Sequence, residues 1–70
     1  MFYWFKRGDA LVQYEAREVS PTDYELTFIG PDGFECVERY HTPDALHARQ
    51  RALERELAAE GWLGPHGWNV

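Results

Sequence analysis

Seventy residues, 44% apolar and 16% aromatic, describe one small globular domain and exclude a disordered chain. A formal charge of -5 gives no long-range attraction to nucleic acid or to anionic lipid. A domain of this size buries only about 60% of the surface its unfolded chain exposes, which leaves a net stability on the order of 3–10 kcal/mol and makes oligomerisation a common supplement.

Residues 2–6, "FYWFK", have strong β propensity and predict a first strand. Phe2 and Trp4 fall on one of its faces, Tyr3 and Phe5 on the other. The tripeptide at 7–9, "RGD", is accounted for by turn chemistry, with Gly8 and Asp9 suited to its dihedrals. Residues 10–19 alternate as a half-buried antiparallel strand, with Val12, Tyr14 and Ala16 opposed to Gln13, Glu15 and Arg17. After a Pro-containing loop at 20–23, residues 24–29 alternate again, with Tyr24, Leu26 and Phe28 opposed to Glu25, Thr27 and Ile29.

Gly30-Pro31-Asp32-Gly33 is the clearest hairpin signal, with Pro set for the second turn position and Gly for a left-handed one. Residues 34–40 return as a fourth strand whose poor alternation leaves room for a bulge. A helix follows: Thr42 is the N-cap, Pro43 the first helical residue, Asp44 a complement to the helix dipole, and Gly61 the C-terminal cap. Leu46, Leu53 and Leu57 fall within about 20° of one line and form its core stripe. The expected fold is α+β, a four-stranded antiparallel sheet packed on one C-terminal helix in the order β-β-β-β-α. Residues 1–63 make one domain, and 64–70 a tail or a short extra strand.

The lone Cys36 makes no internal disulfide, which fits a reducing, cytoplasmic setting. The amino-terminal apolar run is short, aromatic and followed by Lys6-Arg7-Gly8, the reverse of a secretory leader. No stretch has the length of a membrane span, so no membrane partner is expected. Six of the seven basic residues are arginine, a bias typical of a GC-rich bacterial source.

Cys36, His41 and His47 invite comparison with a metal or Cys-His site. Their C-x4-H-x5-H spacing matches no common zinc pattern, and the histidines flank the strand-to-helix joint on opposite sides. His47, Arg51 and Arg55 recur along the outer helix face, which reads as solvated and partly paired to Glu54 rather than as a phosphate site. The acids lie at alternate strand positions and on the helix surface, and no phosphate-binding loop occurs. No catalytic, cofactor-binding or metal-ligating set is therefore expected.

The segment "GPDGFECVERYHTPDALHARQRALERELAAEGW" resembles a type of short bacterial protein of unknown function, in which a Gly-containing hairpin leads into a Pro-capped Arg/Glu/Leu helix closed by Gly-Trp. The β-β-β-β-α order is similar to one repeat of the PUR and Whirly group of single-strand nucleic-acid binders, whose sheets carry aromatic and basic residues. This chain differs from them in being acidic.

A first strand apolar on both faces calls for cover on both, and a single helix covers only one. The expected function is a non-enzymatic interaction module that self-associates as a homodimer, with Phe2, Tyr3, Trp4, Phe5, Trp62 and Trp68 as the candidate interface. The alternative is single-stranded nucleic-acid binding on a sheet face, with Lys6, Arg7, Arg17 and Arg39 contacting phosphates.

Overall fold

The computed structural model describes residues 2–68, apart from the side chain of Trp68. The chain runs β1 (Phe2–Arg7), β2 (Ala10–Ser20), β3 (Asp23–Ile29), β4 (Glu35–Tyr40), α1 (Pro43–Ala59) and β5 (Leu63–Trp68). All pairings are antiparallel, in the order β4-β3-β2-β1-β5. The α+β class and the helix on one face are as expected from the sequence; the sheet has five strands rather than four.

Local chemistry accounts for the joints. Between β3 and β4, Gly33 N donates to Gly30 O at 3.0 Å, closing a type I turn. Gly33 follows in the left-handed region at φ 83, and Gly30 N donates to Phe34 O at 2.9 Å, which completes a bulged three-residue hairpin. At the start of α1 the Thr42 hydroxyl accepts from Ala45 N at 3.1 Å, with Pro43 in the first turn. At its end Gly61 N donates to Ala58 O and Trp62 N to Leu57 O, the two bonds of a Schellman motif. The motif's usual apolar contact is available, since Leu57 and Trp62 are both buried.

The core lies between the sheet and α1. Phe5, Val12, Tyr14 and Leu26 on the sheet meet Leu46, Leu53 and Leu57 on the helix, and Trp62 closes one end. The three leucines are the predicted stripe, and Val12, Tyr14 and Leu26 lie on the apolar faces read from the alternation; Phe5 and Trp62, expected at an interface, are in the core instead.

β5 is the short extra strand that the sequence left open against a tail. It pairs with the outer side of β1, with Phe2 opposite Trp68, Tyr3 opposite Gly67 and Trp4 opposite His66. Close approach requires glycine at 64: a Cβ there would lie 2.7 Å from Phe5 Cδ2 and 2.9 Å from Trp4 O, and its φ is 153. The bulge anticipated in the fourth strand is not there. β4 pairs with β3 without a break from Glu35 to Tyr40, and Phe34 stays outside the strand. The register shifts fall between Glu18 and Ser20 of β2 and between Trp4 and Lys6 of β1.

Candidate functional site

The helix covers one face of the sheet, and cross-strand pairing arranges the other into rows. One row reads His66, Trp4, Gln13, Ile29, Glu35. The next reads Phe2, Glu15, Thr27, Val37, and a third reads Arg17, Glu25, Arg39. The His66 imidazole stacks on Trp4 with ring centroids 4.2 Å apart. Phe2, Trp4 and Ile29 are half-buried, while Leu11 and Val37 are 44% and 54% exposed. A shallow groove of about 250 Å³ opens on this face between Phe2, Ile29 and Glu35.

The six aromatic residues expected at an interface divide between the two faces. Phe5 and Trp62 belong to the protein's own core, and Tyr3 packs against it, stacked on Tyr14 at 5.0 Å. Phe2 and Trp4 are on the open face. The Trp68 side chain lies outside the described residues.

The four candidate phosphate contacts are also divided. Glu25 is only 12% exposed and holds two of them: its Oε1 accepts from Arg17 at 2.9 Å and its Oε2 lies 3.3 Å from Arg39 Nε. That hydrogen bond and charge push the Arg17 guanidinium above its usual value. Arg7 turns to the helix end, where it donates to Glu60 O at 3.0 Å and lies 4.5 Å over the Trp62 ring. A cation at a helix C-terminus is placed where the dipole favours it. Lys6 is exposed with no ion pair among the described residues.

Two polar pairs on the helix side have no sequence signal. The buried Tyr14 hydroxyl donates to Glu54 Oε1 at 2.6 Å. Burial, then this carboxylate, pushes the phenol well above its usual value, against a weaker opposing hydrogen bond with Gln50. Glu54 therefore serves the sheet contact rather than the helix-surface pairing anticipated with Arg51 and Arg55. Glu38 Oε1 accepts from Tyr40 at 2.7 Å and from Arg49 at 3.0 Å. Burial acts to raise the Glu38 carboxyl, but the hydrogen bonds from Tyr40 and Arg49 and the Arg49 charge outweigh it and hold it below its usual value.

Cys36, His41 and His47 lie on separate features. Cys36 is exposed on β4, His41 sits 3.5 Å from Asp23 Oδ1 at the sheet margin, and His47 is exposed on α1. Among the described residues no three His, Cys, Asp or Glu side chains are grouped as a metal ion needs. No described helix is long and apolar enough to cross a membrane.

No family model, curated protein or solved structure matches this chain.

Proposed function

We propose that this chain is a non-enzymatic interaction module that works as a homodimer. The observation that carries the reading is an uncovered apolar surface outside the core. It comprises exposed Val37 on the edge strand β4 and the half-buried Phe2, Trp4 and Ile29 on the open sheet face, set among Gln13, Glu15 and Thr27. Exposed apolar surface of this kind marks interaction sites, and a small core gains from sharing it. The two polar pairs with perturbed protonation, Tyr14–Glu54 and Glu38–Arg49, bridge sheet and helix and so support a structural use rather than a chemical one.

Single-stranded nucleic-acid binding has less support. Arg17 and Arg39 share the Glu25 carboxylate, and Arg7 faces the helix end, so little unpaired positive charge borders the rings. Sedimentation at tens of micromolar tests the proposal: a dimer supports it, and a clean monomer removes it. Tryptophan quenching by DNA or RNA oligonucleotides at low salt, reversed by added salt, would favour the nucleic-acid reading instead.

A further inference from the structure

We infer that two copies join through β4, edge to edge and antiparallel, about a two-fold axis at Val37. This rests on the self-association reading above and names its geometry. The sheet ends in two edge strands, β4 and β5. β5 is a poor template: it contains Gly64, Pro65 and Gly67, proline has no N–H to donate, and its pairing with β1 shifts register. β4 is regular along its whole length.

The hairpin sets which backbone groups of β4 face outward. Gly30 and Phe34 are opposite one another, and Gly30 N donates to Phe34 O at 2.9 Å. Bonded and non-bonded pairs alternate along an antiparallel ladder. Cys36, Glu38 and Tyr40 therefore turn their N–H and C=O toward β3, while Glu35, Val37 and Arg39 turn theirs away from the sheet. The side chains of these same outward residues lie on the open face.

The side chains then select the second copy. A two-fold axis at Val37 sets Val37 opposite the partner's Val37, and Glu35 opposite the partner's Arg39 on both sides of it. Every outward residue of β4 meets another outward residue. Val37 is 54% exposed, Glu35 has no ion pair among the described residues, and Arg39, which lies 3.3 Å from Glu25 on its own sheet, keeps its side chain 79% exposed and can share a second carboxylate. Neighbouring registers fit worse. An axis at Cys36 sets Glu35 against valine, an axis at Glu38 sets two carboxylates face to face, and a one-residue slip exchanges the faces. The chosen register joins two five-stranded sheets into one; it covers the Val37 end of the apolar surface and leaves Phe2, Trp4 and Ile29 on an open face that runs across both copies.

Sedimentation of the full chain and its variants, with far-UV circular dichroism as the folding control, tests the inference. Val37→Pro removes an outward N–H and leaves the β3 ladder intact, so it should remain folded and run as a monomer. Glu35→Arg and Arg39→Glu should each raise the dissociation constant roughly tenfold, and the double variant should restore it to within about threefold. In this register the two Cys36 Cα atoms lie about 8 Å apart, beyond disulfide reach, so mild oxidation should leave the wild type without a covalent dimer. A wild-type monomer would overturn both this inference and the self-association reading. A wild-type dimer unaffected by Val37→Pro, or one whose charge variants show no rescue, would overturn the edge geometry alone. So would rapid Cys36 cross-linking, which sets the axis at Cys36, or dispersal by Trp4→Glu without dispersal by Val37→Pro, which sets the contact on the open face.

Discussion

Replacing Tyr14 with Phe tests a buried hydroxyl that ties sheet to helix. The ring, its stacking on Tyr3 at 5.0 Å and its place in the core are retained; only the donor to Glu54 Oε1 at 2.6 Å is lost. A hydrogen bond to a charged group contributes about 1.5–3 kcal/mol, and water reaching the half-buried Glu54 recovers part of it, so the expected loss is about 1–2 kcal/mol. The pH dependence is more telling. In the folded protein the phenol is held protonated above its usual value, while in the unfolded chain it ionises near pH ~10. A raised pKa contributes stability that is complete below the unfolded value and is lost as pH rises above it. By pH ~11 the accumulated loss relative to neutral pH is about 1.4 kcal/mol, so wild type and Tyr14→Phe should nearly coincide there. Urea unfolding at neutral pH and at pH ~11 gives the difference directly, because the other tyrosines cancel. A difference below about 0.3 kcal/mol at neutral pH, or one unchanged at pH ~11, would refute the assignment.

Gly64→Ala should destabilise by about 2–4 kcal/mol, because its Cβ meets Trp4 O and the Phe5 ring and its φ is unfavourable; a loss under about 1 kcal/mol in the same urea assay would show that β5 yields. Arg7→Ala should cost about 1 kcal/mol and shift Trp62 emission to the red, since it uncovers the indole and leaves Glu60 O without its donor; unchanged emission would contradict the stacked geometry. The depressed Glu38 carboxyl contributes stability that is present above its unfolded pKa of about 4.3 and is lost as pH falls through the lower folded value. Wild type should therefore exceed Glu38→Gln in stability near neutrality and converge with it in acid, and a gap that persists in acid would count against the Tyr40–Glu38–Arg49 arrangement.

Local signals carried most of the fold. Thr42-Pro43-Asp44 and Gly30-Pro31-Asp32-Gly33 act within a few residues, so their chemistry is visible in sequence order, and both joints formed where they stand. The alternation in β2 and β3 and the Leu46, Leu53, Leu57 stripe reported the buried faces for the same reason. β5 stayed open between a tail and a short extra strand because Gly64, Pro65 and Gly67 have weak β propensity, and its strand character comes from lying along β1, a contact made across the length of the chain. Tyr14–Glu54 and Arg7–Glu60 join residues 40 and 53 positions apart, where no periodicity reaches. Glu25, which takes up Arg17 and Arg39, read as an ordinary outward acid; its partners became evident only once the three strands were set side by side.

The most direct test of the account is the mass of the chain in solution. Sedimentation equilibrium at tens of micromolar should return twice the 8.2 kDa of one chain, and Val37→Pro should return 8.2 kDa with its secondary structure intact. A wild-type mass of 8.2 kDa at those concentrations would contradict the central claim that this sheet is completed by a second copy of itself.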